Sequence, residues 1–217
     1  MNYIDGDPRD QLAHVGSDMV RAGLVVGSGG NLSARIPGLD ECWVTAAGTW
    51  LDRLDRSSFV RVDLTDGSCA TQGPRPTSEL SLHLATYARR PDVTAVVHLH
   101  PQTVLLLDAL DQPVRLVTTD HAFYLRRVVT APFRLPGSAA LADEAAAAVA
   151  DGTNCVILSH HGCSVLADSV ELAHKRALYL EEAARLTYRA LALGRLDALR
   201  DCPAEFVASV ESGSNLV

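Results

Sequence analysis

Two histidines stand two residues apart inside the apolar run "AVVHLHPQTVLLL", where Val96, Val97 and Leu99 have the character of buried strand. Residues i and i+2 of a strand leave the same face, so His98 and His100 project together while Val97 and Leu99 face the other way. Two imidazoles on one face are a ready pair of metal ligands, although the same pair could be buried histidines satisfied by hydrogen bonds. A third imidazole bears on that choice. "LSHHGCSV" puts His160 and His161 at the end of another apolar strand, beside a glycine where the backbone must turn tightly. Three histidines at strand ends could form an open zinc site, completed by a carboxylate or water.

Glu79 is the natural fourth group. It lies in the first turn of the helix expected before the His98 strand, where the helix dipole also favours a carboxylate, so simple capping is the competing role. His83 shares that helical face and reads as structural, while His14, His121 and His174 read as ordinary surface or core histidines. "GSGGNLSAR" offers a different chemistry: backbone N–H groups around Gly30 can converge on an anion, with Asn31 and Ser33 adding side-chain hydrogen bonds. "RPTSEL" adds the hydroxyls of Thr77 and Ser78 at a helix start. Together these point to a phosphorylated substrate whose reactive end meets the metal.

The elements that must position these groups alternate in type. Pro8, Leu12, Val15 and Met19 outline a first helix that Gly23 can end. "LSARI", "CWVTAA" and "VRVDL" read as a meander of strands, with "TDGS" as a turn. Leu80, Leu84 and Tyr87 line a helix capped by Thr77 or Ser78 and closed by Pro91, and "DVTAVVHLH" follows as a buried strand. "PQTVLLLDAL" fits either type by periodicity, with Pro101 at its start favouring helix, "VRLVTT" and "RRVVTAPF" read as strands, and "SAALADEAAAAVA" as a helix stopped by Gly152. "NCVILSHHG" and "CSVLA" are strands, "SVELAHKRALYLEEAARLTYRALALG" is the clearest helix, and the tail carries no strong pattern. The expected fold is a single-domain α/β three-layer sandwich over residues 1–217, its central sheet largely antiparallel because several connections are too short for crossovers.

Composition narrows the function. The 217 residues are 47% hydrophobic, enough for one sizeable core, and 19 basic against 26 acidic residues give a net charge of -7. That balance argues against nucleic acid or an anionic membrane surface as a partner. No run approaches the ~20 apolar residues that span a bilayer, and "MNYIDGDPRDQ" lacks a basic flank and an apolar stretch, so a cytoplasmic location is expected. Cys42, Cys69, Cys155, Cys163 and Cys202 are odd in number and scattered, which suggests reduced thiols.

Taken in order, "GSGGNLSAR", "VTAAGTWLDRL", "PTSELSLHLATYARRPDVTAVVHLHP" and "HHGCSV" followed by a long helix resemble the class II aldolase/adducin family, nearest its L-fuculose-1-phosphate aldolase branch. The resemblance spans most of the chain. It implies that His98, His100 and His161 bind zinc or another divalent metal, with His161 preferred over His160 because it directly precedes the glycine. It implies that Glu79 is the catalytic acid/base and also a zinc ligand when no substrate is bound, and that Gly30, Asn31, Gly48, Thr77 and Ser78 hold phosphate. The sequence departs from the family at Ala47–Gly48, where Thr-Gly is usual, although Thr45 is near. It departs again at "LVTTDHAFYLRR", where the tyrosine that protonates the leaving aldehyde is out of register and Tyr124 is the nearest candidate. The implied activity is zinc-dependent cleavage of a ketose 1-phosphate to dihydroxyacetone phosphate and an aldehyde, in a homotetramer with active sites between subunits. A sugar-phosphate decarboxylase or dehydratase, and a non-catalytic adducin-like module, are the alternatives.

Overall fold

The computed structural model describes residues 4, 6–69 and 72–212; the ends of the expected 1–217 domain and residues 70–71 lie outside the described residues. Helix α1 (Pro8–Arg21) starts where Asp7 accepts from the backbone N–H of Arg9, with Pro8 in its first turn. A meander follows in β1 (Asn31–Arg35), β2 (Glu41–Thr45) and β3 (Phe59–Asp63). Helix α2 (Leu80–Arg89) leads to β4 (Ala95–Leu99), which pairs antiparallel with β1 and sets Asn31 opposite His98. Beyond α3 (Gln102–Ala109) and α4 (Thr119–Leu125) come β5 (Val128–Ala131), α5 (Ala139–Ala148), the hairpin β6 (Cys155–Leu158) and β7 (Gly162–Ala167), then α6 (Val170–Ala192) and α7 (Ala204–Glu211).

The seven strands form one sheet in the order β3-β2-β1-β4-β7-β6-β5. Among the described residues its only parallel pair is β5 with β6, which α5 makes possible as the crossover. The sheet is buried on both faces, and β4 shows how its period of two feeds both. Val97 and Leu99 enter the core shared with α1 and α6, where Leu12, Val15, Met19, Ala177 and Leu180 pack. Val96 enters the other, with Leu82 of α2 and Leu141 and Ala145 of α5. The molecule is therefore a three-layer α/β sandwich with a largely antiparallel sheet, as the sequence predicts.

Three local expectations change. "VRLVTT" forms no strand: Val114 and Leu116 pack on the α6 side of the sheet, and the backbone is satisfied elsewhere. Arg115 donates its N–H to Thr187 Oγ1 at 3.0 Å, and Leu116 O accepts from Cys202 at 2.8 Å. The next residues make α4, capped by Thr118, which accepts from the backbone of His121. The tail contains α7. The cap of α2 is neither Thr77 nor Ser78; the N-cap position is Glu79, whose side chain makes no capping bond, while Thr77 Oγ1 accepts from Glu79 N at 3.3 Å. Among the described residues no helix is long and apolar enough to cross a membrane.

Arg90, just before Pro91, leaves the helical conformation as a residue preceding proline must, with ψ at 80°. Its buried guanidinium then closes the end of the sheet remote from the histidines, pairing with Asp92 and donating to Val149 O, Thr153 O and Asn154 Oδ1. Arg90→Ala should cost about 3 kcal/mol, because buried acceptors lose a charged donor. Arg90→Lys should recover little, since an ammonium cannot reproduce the planar fork. Urea midpoints of the three proteins test this; full rescue by lysine would show that charge alone matters there.

Candidate functional site

Loops from six places meet at one end of the sheet around a cleft of about 350 Å³. Its walls include Ser28–Asn31 before β1, Ala46–Thr49 after β2, Thr77–Glu79 before α2, His100 after β4, Pro136 before α5, and His161 in the β6–β7 turn. Gly30, Asn31, Gly48, Thr77 and Ser78, singled out for phosphate, all line this cleft, whereas Ser33, also read as an anion donor, does not: it is fully buried, with its hydroxyl turned to His83 and Tyr87.

At its floor His98, His100 and His161 converge on Glu79. His98 Nε2 is 3.1 Å from His100 Nε2 and 3.1 Å from Glu79 Oε2, and His161 Nε2 is 3.2 Å from Glu79 Oε1. One ligating atom from each of the four lies within 4.8 Å of the others. Ligands on one tetrahedral zinc at ~2.0–2.1 Å stand roughly 3.3–3.4 Å apart, so the spacing fits a divalent ion. Glu79 Oε1 is buried with no hydrogen-bond partner among the described residues, as a metal-facing oxygen would be. His98 Nδ1 meets Ser164 Oγ at 3.1 Å, which fixes the ring and turns Nε2 inward.

The electrostatics agree with that donor set. Burial alone would raise the Glu79 carboxyl, but the hydrogen bond and charge of His98, with His161 and Asn31, outweigh it and hold the group well below the usual carboxylate range. Burial lowers His100 to about 4, helped by His98 and His161, and burial is also the main cause lowering His161. Neutral imidazoles are the metal-binding form.

Asn31 does more than its sequence reading suggests. Its Nδ2 donates to Glu79 Oε2 at 2.8 Å while its Oδ1 lies 2.6 Å from His83 Nε2. Because a carbonyl oxygen only accepts, His83 carries its proton on Nε2, and Nδ1 accepts from Ser33 Oγ at 2.6 Å. Ser33 Oγ in turn lies 2.8 Å from Tyr87 OH. This buried chain from Tyr87 to Glu79 fixes which way the Asn31 amide faces. One Nδ2 hydrogen remains for a ligand. His83 is structural, as expected, and burial holds it neutral, lowered to about 3.

Close approach depends on two glycines. A Cβ on Gly30, whose φ is +78°, would stand 2.7 Å from His98 O. A Cβ on Gly162 would stand 2.6 Å from both His100 Cδ2 and Leu99 O. Glycine next to His161 therefore makes room for the neighbouring imidazole as well as for the turn.

Other expected residues lie elsewhere. His160 is exposed, with φ +56°, its backbone N–H bound to Asp108 and its ring 6.4 Å from that of Phe133. Thr45 does not replace the missing hydroxyl, because it is buried and accepts from Leu32 N at 3.2 Å. Thr49 does line the cleft, two positions after Ala47, and was legible only as a hydroxyl beside Gly48. Tyr124 is outside the cleft of its own chain. Its ring stacks on Tyr179 at 4.6 Å, and its carbonyl accepts from Arg176, which also bonds Leu166 O. Leu166 is four residues along β7 from Gly162, about 13 Å at ~3.3 Å per strand residue. His121 is a core histidine, fully buried and 3.1 Å from Glu182. His14 and His174 meet at Asp18.

The class II aldolase and adducin N-terminal domain family matches residues 10–188, well over half of the chain. The chain belongs to this family. An L-fuculose phosphate aldolase of Methanocaldococcus jannaschii is 33% identical over 163 residues, 75% of this chain and 86% of that protein. A 3-oxo-tetronate 4-phosphate decarboxylase of Escherichia coli K12 is 31% identical over 190 residues, 85% of this chain and 88% of that protein. A solved L-fuculose 1-phosphate aldolase superposes with a TM-score of 0.85 at 24% identity, covering 99% of both chains, and shows the same fold. Class II aldolase membership implies a lyase, and the His/Glu cluster could bind the divalent metal such enzymes typically use.

Gly162→Ala tests the packing of the cluster. The added methyl meets backbone as well as imidazole, so we expect a stability loss of about 1–3 kcal/mol and weaker divalent-metal affinity. His160→Ala should change neither. Isothermal titration with zinc and thermal melts decide it; unchanged affinity in Gly162→Ala would mean that His100 tolerates displacement.

Proposed function

We propose that this protein is a zinc-dependent aldolase that cleaves a ketose 1-phosphate, of the L-fuculose 1-phosphate kind, into dihydroxyacetone phosphate and an aldehyde. The observation that carries the reading is the adjacency of the His98–His100–His161–Glu79 cluster to Gly30, Asn31, Gly48, Thr77 and Ser78 in one cleft. A divalent ion held by the three histidines supplies Lewis acidity toward the substrate ketone. Backbone N–H groups and hydroxyls on the other wall suit phosphate, and they hold the substrate so that its reacting carbons lie beside Glu79.

In cleavage the C3–C4 bond breaks, its electron pair stays on C3, and the C4 hydroxyl proton departs as C4 becomes the aldehyde. A proton returned to C3 completes dihydroxyacetone phosphate. In the reverse direction ionised Glu79 takes that proton from the hydroxymethylene carbon, with Asn31 holding Oε2 in place. The proton at the aldehyde oxygen needs another group, and no tyrosine lines the cleft among the described residues. Tyr124 can serve only in the cleft of a neighbouring subunit, which fits the homotetramer proposed here; a cytoplasmic location belongs to the same reading. The missing acid also favours a second reading, decarboxylation of a 3-oxo sugar-acid phosphate, which has no aldehyde to protonate and matches the named activity of the Escherichia coli relative. A non-catalytic module has no use for four converging ligands.

Three experiments test the reading. Sugar phosphates screened for release of dihydroxyacetone phosphate, in parallel with 3-oxo acid phosphates screened for carbon dioxide, separate the two reactions. On the best phosphorylated substrate Asn31→Asp should raise KM on the order of tenfold or more, through repulsion in the cleft. Equal turnover of the unphosphorylated analogue would remove the basis for a phosphate wall. Glu79→Gln should retain most of its zinc on three histidines while hydrogen exchange at dihydroxyacetone phosphate slows by ~10²–10⁴. Exchange at the wild-type rate would make Glu79 a ligand only.

A further inference from the structure

The α1–α6 contact holds a second convergence of metal-ligating side chains, on the face of the sheet opposite α2. His14 and Asp18 are four residues apart on α1 and share one helical face. His174, buried on α6, meets them there. His14 Nε2 is 3.4 Å and His174 Nε2 3.5 Å from the same oxygen, Asp18 Oδ2, and the two rings stand edge to face with centroids 5.7 Å apart. One ligating atom from each residue lies within 4.8 Å of the others.

These distances exceed the ~2.7–3.2 Å of a good hydrogen bond and match the roughly 3.3–3.5 Å between ligands of one tetrahedral ion. The carboxylate is divided in its duties. Oδ1 pairs with Arg21, which leaves Oδ2 facing both imidazoles. The chemistry of the set is selective: two imidazoles and one carboxylate suit zinc and its neighbours among the first-row ions, whereas magnesium and calcium prefer a shell of oxygens.

We propose that His14, Asp18 and His174 form a second metal site for a zinc-class divalent ion, separate from the cleft, which ties α1 to α6. Water completes its coordination. The ion lies across the α1–α6 contact, so its loss is read in metal content and stability and leaves the chemistry of the cleft intact. The inference does not rest on the aldolase reading.

The test is equilibrium dialysis of the full chain against zinc with excess magnesium, followed by elemental analysis. Wild type should hold about two ions per chain and His14→Ala about one, with unchanged turnover and a lower thermal midpoint. Asp18→Asn, which keeps the shape of the side chain, should also hold about one, and covers the case in which His14→Ala folds poorly. His161→Ala should lose the cleft ion and keep this one. Retention of about two ions in both His14→Ala and Asp18→Asn would overturn the proposal. So would a wild type with about one ion that only His161→Ala removes. A wild type with about one ion that His14→Ala removes would support this site and count against the metal in the cleft.

Discussion

A carboxylate buried beside imidazoles at the end of a sheet is stable only if every neighbour is oriented to compensate it, and that requirement organises this fold around Glu79. The compensation is layered. His98 and His161 bracket the two oxygens, Asn31 holds one of them, and His83, Ser33 and Tyr87 fix the amide that does the holding. None of these contacts survives a slip in register. The β1–β4 pairing that places Asn31 opposite His98 also brings Ser33 into reach of α2, so strand alignment and the electrostatics of the cleft are one constraint.

The parts of this arrangement carried by periodicity were legible in the sequence. Alternation through "AVVHLH" put His98 and His100 on one side and the apolar partners in two cores, and the helical repeat placed Glu79 and His83 on one face. The glycine beside His161 read as a turn, although its steric role toward His100 needs a third element and could not be seen. "VRLVTT" misled because β-branched residues mark burial against any apolar surface, and here that surface is α6, not a neighbouring strand. Tyr124 could not be placed from the sequence for a related reason. Sequence distance from a motif does not tell which end of a sheet a residue reaches, and α4 runs to the far end. His14 and His174 looked ordinary because only the packing of the first long helix on the last brings them together at Asp18.

The sheet separates what is fixed from what varies. Strand ends supply His98 and, through the β6–β7 turn, His161; loops supply Ser28–Asn31, Ala46–Thr49 and Thr77–Ser78. A family whose named activities include aldol cleavage and decarboxylation can keep the first set and alter the second. Substituting Ala47 where a hydroxyl is usual, with Thr49 also on the wall, is the kind of change that such a division tolerates.

The two walls of the cleft belong to different halves of the sheet: the glycine and hydroxyl loops hang from β1, β2 and the start of α2, and the imidazoles from β4 and the β6–β7 turn. Hydrogen-bonded strands keep a spacing of ~4.7–4.9 Å, so the gap between walls has a length that side-chain motion alone cannot adjust. The cleft thereby acts as a ruler. On the proposed reading, a phosphorylated substrate gripped at both ends would have to present a set number of bonds between its phosphate and its reacting carbon, and a homologue one carbon longer or shorter would arrive out of phase even when each end, taken alone, is a perfect fit.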